Sequence, residues 1–280
     1  AAGEPGQWRF TLDNSLASNH LDVQTANHAL LLDGESWRTE MRFTYSYSQH
    51  ITVASTIPFI VHSSGFLDSF IIDWHKTFGL PQGGRDTAPR NRILYRYSED
   101  GHNQVLLDKS ARGIGDLQLE ASWKPPSGGT FRYHLLLKLP TGDPDRLLGS
   151  GATDLSLWLE RSARFDTSSG RFSLSASFGA SWLGHGKLLP SRQRRTVLFA
   201  RLNSGWQPYT WLAAQLCLEG HSALYRRTGL QELDDPALTL TGGFTLRPSH
   251  KWIVELALSE DLAVGGSPDV VFQLNLRRSF

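Results

Sequence analysis

Long hydrophobic runs are what this chain most plainly lacks. Nothing in its 280 residues approaches the roughly 18 consecutive apolar residues of a membrane-spanning helix, and the mean hydropathy is −0.30, so a helical membrane protein is excluded. A β-barrel is not, because its strands alternate lipid-facing with lumen-facing residues and average to an ordinary hydropathy. Cysteine is nearly absent: Cys217 stands alone, which rules out an intrachain disulfide and is compatible with the cytosol and with a cell envelope. Charge of one sign is missing too. The net charge is +1, so nothing marks the chain as a nucleic-acid binder. The opening AAGEPGQW lacks the basic and apolar segments of a secretory signal; if the protein is exported, that signal has already been removed. The 10 histidines are scattered without ligand spacing, and no metal or cofactor is expected.

What is present is a period of two. In 116-DLQLEASW-123, Leu117, Leu119, Ala121 and Trp123 take one face and Asp116, Gln118, Glu120 and Ser122 the other. After the breaker PPSGG, 131-FRYHLLLKL-139 repeats the pattern, which predicts an antiparallel hairpin. In 171–182 one face is apolar from Phe172 to Trp182, and the other is Ser173, Ser175, Ser177, Gly179 and Ser181. The same reading predicts strands at 153–163, 195–203, 209–219, 237–247, 251–260 and 269–280, and upstream at 7–17, 36–48 and 51–60. The total is twelve, an even number that puts both termini on one side.

Connections at 48–51, 124–130, 164–170, 204–208 and 248–250 are short, while those at 18–35, 61–114, 140–152, 183–194, 220–236 and 261–268 are longer. This strict alternation fits the short periplasmic turns and long extracellular loops of a bacterial outer-membrane barrel. A soluble sandwich or an eight-stranded lipocalin-like barrel gives no reason for it. Trp8, Trp37, Trp123, Trp182, Trp206, Tyr209, Trp211 and Trp252 fall near strand ends, where amphipathic rings meet a membrane boundary. The fold expected is all-β: a single transmembrane antiparallel barrel of about twelve strands, one domain over 1–280. Its last segment, 272-FQLNLRRSF-280, keeps Phe272, Leu274, Leu276 and Phe280 on one parity. That resembles the C-terminal signature by which such barrels are recognised for insertion, which implies the barrel-assembly machinery as a partner and Phe280 as an assembly signal.

Projecting the alternation inward places Glu120, Arg132, His134, Lys138, Glu160, Arg247, Glu255 and Arg277 in the lumen as pore-lining residues. Charges of both signs there either pair across the wall or line a wet passage. The rows from Ser173 to Ser181 and Thr239, Thr241, Gly243, Thr245 are too small to fill a lumen, so part of it should be open. The segment 61–114 is the longest irregular stretch, and a loop of that length is usually functional. Within it, Phe66, Phe70, Trp74 and Phe78 recur every four residues beside Leu67 and Ile71, predicting a short amphipathic helix ended by Gly79 and Pro81. Residues 90–108 read as a hairpin turning at Asp100-Gly101. The helix must bury its stripe, either in the barrel mouth or on the outer leaflet. A lid or constriction formed by Phe66, Phe70, Ile71, Trp74 and Phe78 is expected. Arg85, Arg90, Arg92 and Arg96 could contact lipopolysaccharide phosphates or a bound anion, or form a solvated face. For an acyl hydrolase, 61-VHSSG-65 offers His62, Ser63 and Ser64, with Asp68 and His75 nearby. Adjacent strand residues face opposite sides, so only His62 and Ser64 could pair, and no G-x-S-x-G is present.

The stretches 57-IPFIVHSSGFLDSFIIDWHKTFGLPQGGR-85, 113-GIGDLQL-119, 138-KLPTGD-143 and 149-GSGATDLSL-157 resemble a family of Gram-negative outer-membrane β-barrels catalogued as a domain of unknown function. Their G-x-G-D, P-T-G-D and G-S-G turns are also distantly similar to the outer-membrane channel family of meta-pathway phenol degradation, which implies passage of small hydrophobic molecules; the long 61–114 loop departs from that family. Neither resemblance supplies a catalytic residue. The expectation is a passive outer-membrane channel for small, hydrophobic or weakly polar solutes, narrowed or gated by the 61–114 segment. Its competitors are an outer-membrane lipid-modifying acyl hydrolase and a structural or adhesive barrel with a closed lumen. Expected partners are outer-membrane lipid, lipopolysaccharide and a small-molecule solute, without nucleic acid; no trimer surface is marked, so a monomer is favoured.

Overall fold

Alternation becomes strand along almost the whole chain. The computed structural model describes residues 4–79, 82, 84–126, 129–262 and 270–280. Among them are β1 Trp8–Gln24, β2 His28–Ser46, β3 Ile51–Ser63, β4 Leu94–Glu99, β5 His102–Leu107, β6 Ala111–Ile114, β7 Leu117–Trp123, β8 Phe131–Leu139, β9 Asp154–Thr167, β10 Gly170–Trp182, β11 Thr196–Tyr209, β12 Leu212–His221, β13 Ala237–Leu246, β14 Trp252–Asp261 and β15 Val270–Ser279, with the helices α1 Asp68–Phe78 and α2 Gln231–Asp234. One sheet holds all the strands. Twelve of them close a ring, running β1, β2, β3, then β7 through β15 and back to β1, each neighbouring pair antiparallel. β4 and β5 extend the edge of β2, and β6 caps the end of β3. Closure removes the exposed strand edges that would otherwise invite aggregation.

The pairing register sorts the two faces of the wall. Arg42 of β2 stands opposite Thr11 of β1 and Thr56 of β3, and reaches Glu120 on β7. That parity is the inner one. The other parity carries Phe43, Leu119, Leu157, Phe178, Leu256 and Leu274, all exposed; Phe178 is 62% exposed. A band of bare leucines and phenylalanines is costly in water and costs nothing against hydrocarbon. Aromatic pairs mark the short-turn end of the ring: Trp8 on Tyr45 (4.8 Å), Trp123 on Tyr133 (5.5 Å) and Tyr209 on Trp211 (5.8 Å). Trp37, paired with Leu16, marks the other end. From Trp8 to Leu16 are eight steps along β1; at about 3.3 Å per residue and a tilt near 40° they span roughly 20 Å, close to the apolar height of an outer-membrane barrel.

Three expected connections turn out differently. Residues 18–35 are not a loop. β1 and β2 stay paired without a break from Trp8↔Tyr45 to Gln24↔Ala29 and turn at 25–27. The run Leu30, Leu31, Leu32 hides the period because this part of β2 is covered on both sides, and such strands read as continuous apolar runs. Residues 204–208 belong to β11; a bulge between Trp206 and Tyr209 accommodates Pro208, and the turn moves to 210–211. The 164–170 turn shrinks as β9 continues to Thr167 and β10 begins at Gly170. The predicted 261–268 connection falls mostly outside the described residues.

Gly34 sets where the wall ends. β2 pairs with β3 as far as Glu35↔Ser63, then with β4 from Asp33↔Leu94. Between them Gly34 adopts φ +149°, and a Cβ there would come within 2.9 Å of Ile93 Cδ1 and 3.1 Å of the Ser63 carbonyl. Only glycine lets one strand hand over from barrel partner to cap partner.

A capped barrel mouth above a polar lumen

Extended beyond the ring, β1 and β2 carry β4 and β5 over the mouth. Leu21 and Val23 of β1, Leu30 and Leu32 of β2 and Tyr97 of β4 share the inner parity and pack with Leu189, Leu230 and Leu233. Those last three come from the loops after β10 and β12, four to six places around the ring from β2. The sheet extension therefore arches across the opening and docks on the far wall. Polar ties accompany the apolar contact. The Tyr97 hydroxyl donates to the Thr228 carbonyl at 2.8 Å, Arg192 pairs with Glu99, and His28 Nε2 lies 3.6 Å from the Glu99 carboxylate.

Beneath this arch is a chamber of about 300 Å³ lined by Leu30, Leu32, Tyr95, Tyr97, Val105, Leu147, Leu188, Leu189, Tyr225 and Leu233, with Asn19, Ser36, His62 and Arg96 at its side. Asn19, Ser36, His62 and Tyr95 satisfy one another, while the buried Nε of Arg96 meets no hydrogen-bond partner among the described residues. His62 Nε2 faces the Leu147 carbonyl at 3.1 Å, so it carries the proton, and Nδ1 accepts from the Ser36 hydroxyl at 2.8 Å. Tyr95 then donates to Ser36 (3.2 Å) and accepts from the Asn19 amide (3.2 Å). Burial pushes the Tyr95 phenol above its usual range, the Ser36 and Asn19 bonds opposing; burial and then the Glu99 charge raise Tyr97. Both stay neutral donors. A chamber so lined holds a ligand by excluding water rather than by a grid of hydrogen bonds.

The chemistry of an acyl hydrolase finds little here. His62 does meet a serine, but the serine is Ser36, not Ser64. The pair faces inward, away from lipid, and the nitrogen that an orienting carboxylate would hold faces a backbone carbonyl instead. Among the described residues there is no cluster of three metal-ligating side chains.

Below the mouth, a second cavity of about 1050 Å³ runs along the inner faces of β8 to β15. Arg132, Glu160, Ser173, Ser175, Arg201, Asn203, Gln215, Glu219, Thr239 and Thr241 line it. Arg201 and Glu219 on the cavity side pair with each other, and from β2 to β9 most inward charges are likewise consumed by one another. Arg42 Nη2 is 2.6 Å from Glu120, His134 Nδ1 is 3.1 Å from the same carboxylate, and His134 Nε2 is 3.7 Å from Glu160. The His134 ring stacks on Trp158 at 4.5 Å and 8°. Lys138 lies 2.6 Å from Asp154 and 3.1 Å from Asp116. Arg132 donates to Ser122 at 3.2 Å, and Arg277 faces Glu255 at 3.7 Å. Arg247, just past β13, stands apart at the short-turn end, its N–H bonded to the Trp211 carbonyl. Sequence reasoning passed over Arg42 and Asp154; the alternation of Arg38, Glu40 and Arg42 against Trp37 to Phe43 was the signal for the first.

α1 lies on the other side of the wall. Glu35, which shares the outward parity of Trp37, accepts the N–H groups of Phe66 (2.7 Å) and Leu67 (2.5 Å). Asp68 in the first turn is bound by Arg85 at 2.8 Å, and Arg85 donates to Ser18, again of outward parity, at 2.9 Å. Arg92 pairs with outward Asp33 at 2.7 Å. The Phe70 ring sits 6.0 Å from that of Phe272 on the apolar exterior. The helix expected in the mouth is thus held outside it by carboxylates that an alternation count cannot assign to partners. Phe66, Phe70 and Trp74 face outward, Ile71 is buried, and the Phe78 side chain lies outside the described residues. Of the four arginines, Arg85 and Arg92 are thus ion-paired within the protein, and Arg90 donates to Ser69 at 3.3 Å. At the opposite end Phe280 donates its N–H to the Trp8 carbonyl (3.2 Å), and its ring receives the Arg278 guanidinium at 4.7 Å.

A family model described as a protein of unknown function, DUF3187, matches residues 3–280. The chain belongs to the DUF3187 family. No curated protein matches it. Among solved structures, this DUF3187 barrel is similar to the COG4313 outer membrane channel from Pseudomonas putida F1, with TM-score 0.62 and 14% identity, covering 100% of this chain and 97% of that one. That likeness shows a shared outer-membrane barrel fold. Fainter likenesses are to the KdgM porin (TM-score 0.49, 8% identity, 96% and 99% covered) and the CymD monoaromatic hydrocarbon channel (0.43, 12%, 99% and 89%); neither is close enough to carry weight.

Proposed function

We propose that this DUF3187 protein is a passive channel of the bacterial outer membrane for small, hydrophobic or weakly polar solutes. The observation that carries the reading is the sequence of two environments inside one ring: an apolar chamber of about 300 Å³ under the cap and a polar cavity of about 1050 Å³ below it. A solute that partitions into the first leaves water at the mouth, and the second returns it to a hydrated path. The resemblance to a protein described as an outer membrane channel supports the same reading. The 61–114 segment narrows the route, through β4 and Tyr95 and Tyr97 rather than through α1. The paired charges at Glu120, His134 and Lys138 act as wall, while Arg132, Glu160 and the ion pair of Arg201 with Glu219 face the passage.

The test is single-channel conductance in planar bilayers, together with uptake of small aromatic solutes by proteoliposomes, for the intact protein and for Arg192→Ala with Tyr97→Phe. Low conductance that rises in the double variant, with solute entry in both, is expected. Silence of both proteins and no uptake above empty vesicles would remove the channel reading.

A further inference from the structure

Helix α1 has two apolar faces, and one of them is buried within the protein. Ile71 and Ile72 are 1% and 2% exposed and form the covered side. Phe66, Phe70 and Trp74 recur at one-turn spacing on another side, where Phe66 is 67% and Phe70 50% exposed. Asp73, Lys76 and Thr77 are also exposed and supply a polar edge. Soluble proteins seldom leave such an aromatic cluster in water. Its position explains what covers it. The Phe70 ring stacks on Trp74 (6.1 Å) and touches Phe272 (6.0 Å). Phe272 pairs with Leu16, which pairs with Trp37, in the outward row at the long-loop end of the apolar wall. The aromatic face of α1 is therefore continuous with the lipid-facing surface, at its upper edge.

We propose that α1 is an interfacial anchor: it lies in the outer leaflet, with Phe66, Phe70 and Trp74 among the acyl chains of lipopolysaccharide and the edge of Asp73 and Lys76 toward headgroups. This is the geometry of a short amphipathic helix lying in an interface rather than crossing it. Arg85 and Glu35 fix the helix to the β1–β2 extension, so the anchor sets the height of the cap's base relative to the membrane. The inference rests on the outer-membrane reading above.

The full chain with Cys217→Ser would receive single cysteines at Phe66, Phe70, Asp73, Lys76 or Leu256, each carrying a spin label, in vesicles containing lipopolysaccharide. Heat-dependent gel mobility would confirm that each variant is a folded barrel. Collision with oxygen dominant at 66, 70 and 256, and with an aqueous nickel chelate dominant at 73 and 76, is the expected pattern. Aqueous accessibility at 66 and 70 equal to that at 73 and 76, with 256 still in lipid, would overturn the anchor alone. Aqueous accessibility at 256 as well would overturn the membrane reading and the anchor with it.

Discussion

The Tyr97 hydroxyl donates to the Thr228 carbonyl across 2.8 Å, joining an extension of β2 to a loop on the far side of the barrel. One hydrogen bond thus ties together elements that 131 residues of sequence separate. A bond of this kind contributes about 0.5–1.5 kcal/mol net, so Tyr97→Phe should raise the open fraction of the mouth roughly 2- to 10-fold. Open probability in bilayers, or hydrogen exchange at β4, reads the effect directly.

The Arg192 and Glu99 pair beside it is partly exposed, at 27% for each side chain. Exposed pairs contribute about 0–1 kcal/mol and are screened by salt. Conductance per mole of salt should therefore rise between 0.1 and 1 M, taken as about the screening range, and Glu99→Gln should abolish that excess. A salt response unchanged in the variant would assign the docking of the cap to apolar packing alone.

Glu120 accepts from both Arg42 and His134. Glu120→Gln leaves the Arg42 cation without its carboxylate on a half-buried wall. The loss should be about 1–3 kcal/mol, below the 3–5 of a fully buried pair because water reaches Arg42. A lower unfolding temperature together with a shift of ion selectivity toward anions is expected.

Leu256 faces outward between Phe244 and Leu274, and Thr241 faces inward. Leu256→Arg should cost about 2–4 kcal/mol of folding into bilayers. Thr241→Arg loses a hydrogen bond to Ser259 (2.7 Å) and should cost only about 0.5–1.5 kcal/mol while reducing conductance. Similar folding losses at both positions would contradict the assignment of faces.

Asp116, just before β7, binds the loop between β8 and β9. Burial opposes its charge, yet N–H groups of Ser150 (2.9 Å) and Gly142 (3.0 Å) and the Lys138 ammonium hold its carboxyl below the usual range. A lowered folded value means stability that is complete above the unfolded value near 3.9 and is lost as pH falls from there through the folded value. Acid unfolding should steepen below about pH 4, and Asp116→Asn should flatten that slope.

Much of the wall was legible beforehand. Phe172 to Trp182 against Ser173 to Ser181 states strand, face and boundary in eleven residues, because the pleat alternates sides at every step. The hairpin at Asp100-Gly101 and the helix from Phe66 were legible for the same local reason. Alternation failed at Leu30 to Leu32, where a strand covered on both faces has no period, and at Trp206 to Tyr209, where a bulge breaks the register. Ser36, Tyr95 and Asn19 carried no signal at all, since each is unremarkable until the others arrive.

By itself, then, the sequence determined a closed antiparallel barrel and its twelve wall strands, since those follow from a local period and from loop lengths. Tertiary structure alone decided that β1, β2 and β4 roof the mouth, that the chamber beneath them is apolar, and that α1 stays outside. Each of those outcomes depends on a contact between distant segments, such as Tyr97 with Thr228, Arg85 with Ser18 or Phe70 with Phe272. No periodicity encodes which partner a side chain will meet across a loop closure.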